Sequence, residues 1–512
     1  MQVLIQKYLH ILVIFKRLCY NMIKEKSDPI VFLTALCRNR QTVRTKENMK
    51  DLTCGRPIKL IVLFALPLLF GNLFQQAYNL ADIVIIGQNL SNDSIAAVGS
   101  TAPLVSLMFN IINGLVTGFS IVVAKNFGAG EYDEMRRTIA RMLVFASAVT
   151  AVLILLSTVF IDPLLRLLDV RDDIFAEARS YLFVVALGLV VTLLYNFEAS
   201  ILRAVGDSVI PLIILIISTA LNIGLDLLLI CVFKVGVVGA ALATVAAQAV
   251  SAAVCLVYLI KRRPMLLVKR RDFTFTAEST KELLGAGLGM ALMYSIVDIG
   301  SIVLQNGING FGKDVITAHT AARKIFGLTI MPYSAVSATL VTYCSQNRGM
   351  ERYSRIRRGI RDGLMIMFAW SAIAVALIFF AGDALIGIIV SSEGENAAAI
   401  IDTGVLYMKW AVPFYFALAA LLGLRSALQG LGKSLVPIIC SVIELLWKIV
   451  TVVVMIPLFG GSDGGVGSTI EEIGGYFGVV ISEPIVWTVC AIIIGIIAFD
   501  TLRKMPKDDM EK

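Results

Sequence analysis

The chain has 512 residues, of which 58% are apolar and only 16% are charged, and its mean hydropathy is +0.83. A soluble domain carries about 25% charged residues, and a soluble chain of this length could not hide so much apolar surface from water. The formal net charge is +8. The composition therefore excludes an ordinary soluble protein and indicates a chain that is solvated by lipid.

The first 48 residues differ from the rest because they are basic. They hold nine Lys and Arg against three Asp and Glu, and their apolar stretch from Leu9 to Phe15 is too short to cross a bilayer. No small-residue cleavage site follows that stretch. We therefore expect residues 1–48 to form a disordered or interfacial N-terminal extension, with Met49 as an alternative translation start.

Apolar runs of membrane-spanning length predict twelve helices after this extension. The spans lie near residues 58–86, 95–124, 139–160, 176–200, 209–233, 236–260, 281–307, 314–345, 359–381, 397–422, 434–458 and 475–499. The predicted fold class is an all-α polytopic membrane protein.

The second half of the chain repeats the first. The stretch Ile201–Pro211 (ILRAVGDSVIP) matches Ala427–Pro437 (ALQGLGKSLVP), and NFGAGEYDEMRR from Asn126 matches NRGMERYSRIRR from Asn347. Self-similarity at half the chain length is typical of transporters that are built from two copies of one helix bundle. We therefore predict two pseudo-symmetric six-helix lobes, an N-lobe at 49–265 and a C-lobe at 266–512 that ends in a cytoplasmic tail.

The basic residues predict the orientation of the chain in the membrane. Loops after the even-numbered spans are rich in Lys and Arg, whereas loops after the odd-numbered spans hold only Arg166, Arg171, Lys234 and Lys313. By the positive-inside rule, both termini are expected to be cytoplasmic. This bias accounts for the basic pI near 9.0 without a nucleic-acid partner.

Polar residues inside the spans are candidates for function, because burying them in lipid is costly. Asp82 lies on the first span, Asn222 and Asp226 lie on one face of the fifth, and Thr244 lies on the sixth. Asp82 and Asp226 each follow a proline of their span by fifteen residues, about 22 Å of helix, and Thr244 reaches a similar depth. The four side chains are therefore predicted to converge.

Such a cluster could take up a cation in two ways. Carboxylate, amide and hydroxyl oxygens suit a hard cation such as Na⁺. Alternatively, two neighbouring carboxylates away from water repel each other, so that one of them would bind a proton. A third interpretation is a set of structural hydrogen bonds between helices.

The second lobe offers fewer candidates. Asp298 on the seventh span has no evident partner in the sequence and is a candidate for binding substrate or ion. Glu444 and Lys448 are spaced i,i+4 on the eleventh span, which indicates either an intrahelical ion pair or a site. Glu198 and Arg203 are expected to snorkel to the membrane surface. Eight scattered cysteines indicate packing thiols, and two histidines are too few for a metal cluster.

Four segments resemble the multidrug and toxic compound extrusion (MATE) transporters. They are LPLLFGNLFQQAYNLADIVIIG, LRAVGD at Leu202, LNIGLD at Leu221 and GAALAT at Gly239, within a resemblance that covers residues 51 to about 503. The resemblance implies two six-helix lobes around a V-shaped cavity and an exchange of organic cations for H⁺ or Na⁺. It also implies a cation site at Asp82, Asn222, Asp226, Thr244 and Asn196, and a role for Asp298 as the acidic residue of the seventh span.

The sequence thus predicts a secondary active multidrug antiporter. It would export amphipathic cations in exchange for H⁺ or Na⁺, without a cofactor, as a monomer in a bacterial inner membrane. The alternative is a flippase for lipid-linked saccharides, which would need a cationic cavity. Here the cavity is expected to be acidic, with Lys448 as its main cation. No HExxH or GxSxG motif supports an enzyme.

Overall fold

The computed structural model describes residues 51–390, 396–461 and 465–506. The prediction for residues 1–48 lies outside these ranges. In the described part the chain forms no β-strand, and twelve helices are long and apolar enough to cross a membrane, which confirms the predicted fold class. We name these spans α1 to α12, and they are Pro57–Asn89, Asp93–Gly128, Tyr132–Val159, Phe175–Ala204, Val209–Val232, Val237–Arg262, Ala277–Asn309, Lys313–Gly349, Tyr353–Gly387, Ala397–Gly430, Leu435–Leu458 and Tyr476–Lys504.

The internal repeat of the sequence recurs in the backbone. The turn from α4 to α5 contains Gly206 at a φ of 90°, and its repeat counterpart Gly432, between α10 and α11, has a φ of 78°. Both turns need a left-handed residue, which glycine supplies at no steric cost. Span α5 changes to a π-helix at Leu227–Val232, and α11 does the same at Thr451–Met455. The two halves therefore share turns and helix irregularities as well as sequence.

Span α1 packs against both halves of the protein. Before Pro67, its residues Ile61 and Phe64 belong to a buried apolar cluster whose other members lie almost entirely on α7 to α12. After Pro67, Gly71 lies against Leu212 and Leu215 of α5. Pro67 thus lies where α1 passes from one lobe to the other. A proline removes a backbone hydrogen bond and so allows the helix to bend at this point.

A tight seam joins the two lobes at the end of the bundle where α2 and α8 finish, which we call the basic end. Ser345 donates a hydrogen bond of 2.5 Å to the carbonyl of Ile121, and Lys125 forms a 2.7 Å ion pair with Glu282. Gln346 donates to the carbonyl of Ala204 at 2.7 Å and accepts from the N–H of Leu52 at 3.1 Å. Ser345 and Gln346 are fully buried and the ion pair is half-buried, so the basic end is closed.

The lobes separate towards the opposite end of the bundle. On α2, a Cβ added to Gly114 would lie 2.7 Å from the backbone of Ala291 on α7, whereas one added to Gly99 would meet no atom within 4 Å. On α8, Gly349 lies against α2, but Lys324, seven helical turns away on the same face, is exposed. A cleft therefore lies between the lobes and opens away from the basic end.

Candidate functional site

A buried carboxylate, that of Asp226, and a half-buried one, that of Asp82, lie beside each other inside the first lobe. Asp226 is 1% exposed and ends the regular part of α5, directly before the π-helical turn. It interacts through its side chain with Asp82 of α1. Both carboxylate oxygens of Asp226, one of Asp82 and the amide oxygen of Asn222 have no hydrogen-bond partner among the described residues. Four buried acceptor oxygens are thus left without a donor.

Hydroxyl groups complete this cluster. The Tyr78 hydroxyl is 3.0 Å from the Thr244 hydroxyl, and the Asn222 amide donates to the same Thr244 oxygen at 3.5 Å. Tyr181 of α4 is close enough to feel the charge of both carboxylates. The structure therefore brings together the four predicted residues and adds two tyrosines. The spacing of Tyr78, one turn before Asp82, was the only sequence signal for either tyrosine.

The oxygens of this cluster fit a hard cation or a proton. Buried polar atoms in folded proteins are nearly always hydrogen-bonded, so four such oxygens in one place are suited to a positively charged partner. A proton shared between Asp82 and Asp226 would satisfy two of them, and Na⁺ would use the oxygens as ligands. No group of three His, Cys, Asp or Glu side chains that could hold a metal occurs in the described ranges.

Asn196 lies outside this cluster. Its amide donates a 2.8 Å hydrogen bond to the carbonyl of Thr192 within α4. Tyr181 is the residue of α4 that reaches the carboxylates, and Asn196 lies fifteen residues further along that helix, about 22 Å towards the basic end. The resemblance implied a role for Asn196 in the cation site, and the structure does not bring it there.

Asp298 has a partner in the opposite lobe. Asn110 of α2 donates a 2.7 Å hydrogen bond to the Asp298 carboxylate of α7. This pair stands farther from the basic end than the other hydrogen bonds described across the seam. The carboxylate therefore lies where the seam gives way to the cleft, a contact that the sequence could not indicate.

Glu444 and Lys448 do not form the predicted intrahelical ion pair. Glu444 instead pairs with Arg425 of α10 at 3.6 Å, and Lys448 donates to the hydroxyl of Ser301 on α7 at 3.3 Å. The i,i+4 spacing permits an ion pair, but neighbouring helices offer each side chain a better-placed partner. The ion-pair interpretation was therefore wrong.

A charged network that the sequence did not reveal lies inside the second lobe. Arg323 of α8 donates through Nη1 to both oxygens of Glu483 on α12, at 2.9 and 2.8 Å. The Tyr407 hydroxyl donates to Glu483 at 2.9 Å, and His319 is 2.9 Å from the Tyr476 hydroxyl. Lys448 is near enough to feel the charges of Arg323 and Glu483.

The network corrects the expected charge of the cleft. Arg323 and Lys324 lie on α8 and Arg425 on α10, in addition to Lys448, so cations balance the carboxylates of the second lobe, namely Asp298, Glu444 and Glu483. The repeat emphasises the contrast: in the register that aligns Ile201 with Ala427, Asn222 of the first lobe corresponds to Lys448 of the second. Charge therefore no longer argues against a substrate with an anionic group.

Glu198 does not snorkel to the membrane surface. It is 5% exposed, lies beside Cys255 of α6, and one of its oxygens has no hydrogen-bond partner. Arg203, on the last turn of α4, donates to Ser200 at 3.1 Å. The prediction was wrong because α4 continues to Ala204, which leaves Glu198 more than a turn inside the bundle.

Comparison with known proteins now decides the family. The family model described as MatE matches residues 67–228 and 289–454, which together make up more than half of the chain. The chain belongs to the MATE family. It is therefore a multi-pass membrane transporter and not an enzyme.

Individual relatives agree with this assignment. The chain is 25% identical over 338 residues to the "Probable multidrug resistance protein YoeA" of Bacillus subtilis, covering 65% of this chain and 73% of that protein. It is 22% identical over 449 residues to the "Multidrug export protein MepA" of Staphylococcus saprophyticus, covering 88% of this chain and 95% of the relative.

Solved structures share the fold. A "multidrug resistance MATE family transporter of the MOP superfamily" in an outward-facing conformation matches with a TM-score of 0.80 at 23% identity, over 90% of this chain and 99% of that one. A MOP superfamily transporter from Pyrococcus furiosus matches with a TM-score of 0.79 at 22% identity, over 91% of this chain and 100% of the other.

Proposed function

We propose that this MATE family protein exports small-molecule drugs and couples their export to the uptake of H⁺ or Na⁺ at Asp82 and Asp226. The observation that carries the proposal is the group of orphaned oxygens on these two carboxylates and on Asn222. An ion that binds there removes an unfavourable buried charge, and this energy can drive a change of conformation.

The names of the relatives support the choice of cargo. Two relatives from different bacteria, YoeA and MepA, are called multidrug resistance or multidrug export proteins. The match to MepA runs through nearly the whole of that protein, so both lobes take part in the similarity. None of these names mentions a lipid-linked saccharide, and we therefore favour drug export over the flippase alternative.

The proposed coupling uses one set of groups for ion and drug. In this proposal, the ionised carboxylates of the first lobe attract amphipathic organic cations, whose apolar bodies gain about 25 cal/mol per Å² of surface that is removed from water. When H⁺ or Na⁺ neutralises the carboxylates, this attraction is lost and the drug is released. Because the ion binds and the drug leaves at the same groups, the two fluxes are linked.

The proposed orientation places the basic end of the bundle in the cytoplasm. Lys and Arg concentrate in the loops at this end, in agreement with the positive-inside rule. The closed seam then faces the cytoplasm, and the cleft opens outward, where an exporter releases its cargo. In this proposal the protein is a monomer in a bacterial cell membrane.

The test is ethidium export from proteoliposomes with a proton gradient and a sodium gradient imposed separately. We expect Asp82→Asn and Asp226→Asn each to lower uphill export at least about tenfold, which corresponds to about 1.4 kcal/mol of coupling energy. Asp500→Asn is the matched control, since Asp500 is an exposed residue of α12 whose ionic partner among the described residues is Lys504.

Two results would contradict the proposal. Wild-type rates in both carboxylate variants would show that these residues only join helices. Inhibition of transport by polyprenyl pyrophosphate saccharides, together with no movement of ethidium, would favour the flippase instead.

A further inference from the structure

A groove lies between α7 and α11 of the second lobe, at the basic end of the bundle. Its volume is about 870 Å³, which is within the range of sites that hold small molecules. The groove is separate from the cleft between the lobes, because the cleft opens at the opposite end. Its lining includes Lys281, Leu284, Gly285, Leu288 and Leu292 of α7, and Ser434 directly before α11.

A glycine of α7 leaves room for this groove. A Cβ added to Gly285 would meet no atom within 4 Å, whereas one added to Gly289, one turn further along, would lie 3.1 Å from the Cβ of Ser434. The two helices therefore touch at Gly289 and leave an open space beside Gly285. Because helices bound this space on two sides, it can hold a molecule in a defined position.

The groove is polar at one end and apolar along the rest. Lys281 and Ser434 line it at the basic end, whereas Leu284, Leu288 and Leu292 follow along α7 at intervals of four residues. Residues four apart lie on one face of a helix, so the leucines form a continuous apolar wall. The helix advances about 16 Å from Lys281 to Leu292, which is close to half of a hydrocarbon core of about 30 Å. The groove therefore matches the depth of one leaflet.

The polar end carries positive charge that the protein does not balance. Lys281 and Lys433, in the turn that leads into α11, are exposed, and neither forms an ion pair among the described residues. Glu282, next to Lys281 in the chain, is already paired with Lys125 at 2.7 Å. Of the nearby carboxylates on α7, only the exposed Glu278 is without an ion pair in the part of the chain that is described. Two lysines therefore exceed one carboxylate at this end.

We propose that the groove binds an anionic phospholipid, with an acyl chain along the leucines of α7 and the phosphate between Lys281 and Lys433. Lysine ammonium groups at a membrane surface attract phosphate oxygens, and basic pockets between spans bind anionic lipid headgroups. In the orientation proposed above, the lipid belongs to the cytoplasmic leaflet. The inference goes beyond the proposed function, since neither the drug nor the coupling ion takes part in it.

The groove adjoins the seam between the lobes. Gly289 and Ser434 line both the groove and a smaller cavity that reaches Ile121 of α2. The carbonyl of Ile121 accepts the hydrogen bond from Ser345 that helps to close the basic end. A lipid in the groove therefore lies close to the contacts that have to break when this end opens.

The experiment uses a phosphatidylglycerol that carries a diazirine in one acyl chain and crosslinks to the residues it touches when illuminated. The purified full-length protein is illuminated with this probe in detergent micelles, and the labelled peptides are mapped by mass spectrometry. We expect the labels to concentrate on α7 and α11. Unlabelled phosphatidylglycerol should displace the probe at a concentration about tenfold lower than phosphatidylcholine with the same acyl chains.

Two double variants distinguish a headgroup site from a general attraction of anionic lipid. In Lys281→Gln combined with Lys433→Gln, we expect the two lipids to displace the probe at nearly equal concentrations. Lys261→Gln combined with Arg262→Gln removes the same charge at the basic end of α6, outside the groove, and should keep the wild-type preference. An equal loss of preference in both double variants would mean that the lipid responds only to net charge, and it would overturn the inference.

Gly285→Phe tests the apolar part of the groove. The added ring would occupy the space beside α7, so labelling of α7 and α11 should fall about tenfold. Gly495→Phe is the matched control, because Gly495 of α12 lies at a similar distance from the basic end and a Cβ there also meets no atom within 4 Å. Unchanged labelling in Gly285→Phe would show that the acyl chain does not lie in the groove.

Three further results would overturn the inference. Labels spread evenly over all twelve spans would indicate a non-specific layer of lipid around the protein. Equal displacement by both lipids from the wild type would show that the groove does not distinguish the headgroups. Displacement by ethidium at a lower concentration than by phosphatidylglycerol would assign the groove to the cargo. None of these results depends on export, so the inference and the proposed function can fail separately.

Discussion

The buried charges of the two lobes are balanced in different ways. In the second lobe, the buried Glu483 pairs with Arg323, and the half-buried Glu444 pairs with Arg425. In the first lobe, Asp82 and Asp226 lie beside each other, and neither pairs with a cationic side chain among the described residues. Burying an unpaired charge costs several kcal/mol, so in the proposed mechanism the first lobe takes a cation from solution while the second does not need one.

This difference predicts that Glu483 is a structural residue. Glu483→Ala would leave Arg323 without its carboxylate and Tyr407 without its acceptor. Because Arg323 is partly exposed, we expect a loss of about 2–3 kcal/mol of stability, less than for a fully buried pair. The expected observation is a fall of several degrees in the Tm of the protein in detergent.

Asp500→Ala is the matched control for that measurement. Asp500 lies on the same helix, and its ion pair with Lys504 is exposed, so its removal should cost at most about 1 kcal/mol. If both variants lowered the Tm equally, the Arg323–Glu483 pair would not be stabilising the second lobe.

Sequence alone identified part of this residue-scale chemistry. Asp82 and Asp226 were predictable because carboxylates are rare in apolar spans and their depths could be counted from prolines. Arg323 and Glu483 were not, since 160 residues separate them and no local spacing relates them. Tyr181 was not predictable either, because a tyrosine in a span is as readily explained by packing as by a role in an ion site.

At the scale of elements, some features of the helices were predictable from the sequence and others were not. Hydropathy predicted all twelve spans, because a long apolar run has few other solutions in lipid. It placed the eighth span at 314–345, whereas the helix runs to Gly349, since the last turn is polar and buried in the seam between the lobes. The π-helical turns of α5 and α11 were not predicted, because they depend on packing between helices and not on local sequence.

Close packing of α2 against α7 leads to a second prediction. A Cβ on Gly118 would lie 2.3 Å from the carbonyl oxygen of Ala286 and 2.6 Å from the Cα of Gly287, and backbone atoms on a helix cannot give way. We expect Gly118→Ala to force the seam apart. A membrane-impermeant maleimide should then label a cysteine placed at Ser345 from the basic end, where the wild-type seam protects it.

Gly99 provides the control on the same helix. A Cβ at Gly99 meets nothing within 4 Å, so Gly99→Ala should leave the labelling unchanged and favour the helix by about 1 kcal/mol. Equal labelling in the Gly118 and Gly99 variants would mean that the seam tolerates a methyl group and that the two helices are less closely packed than described.

At the scale of the whole molecule, the seam distinguishes the two conformations that a transporter must adopt: it is closed in one and open in the other. To open at the basic end, the protein has to break the hydrogen bond of Ser345 to Ile121, that of Gln346 to Ala204 and the Lys125–Glu282 ion pair. Each lobe keeps its own turns and internal packing during such a change. The movement is therefore expected to be a rocking of one rigid bundle against the other.

Locking the seam should stop transport. In Lys125→Cys combined with Glu282→Cys, the two positions face each other where the native side chains form their 2.7 Å contact. Treatment with a short bismaleimide should join the lobes and reduce ethidium export to the background of protein-free liposomes. Each single variant, treated in the same way, controls for reaction at native cysteines. Continued export by the crosslinked protein would show that the seam stays closed throughout the cycle.

The shared backbone and divergent charges of the two lobes have an evolutionary consequence. Gly206 and Gly432 keep the same turn, whereas the aligned positions Asn222 and Lys448 differ in charge. After a gene duplication, both copies had to keep the turns that let the two lobes move as equivalent bodies. The charges of their membrane-spanning helices were free to diverge. In the proposed mechanism, one ancestral bundle has thus given rise to two lobes with different tasks: the first binds the driving ion, whereas the second neutralises its own carboxylates with arginines.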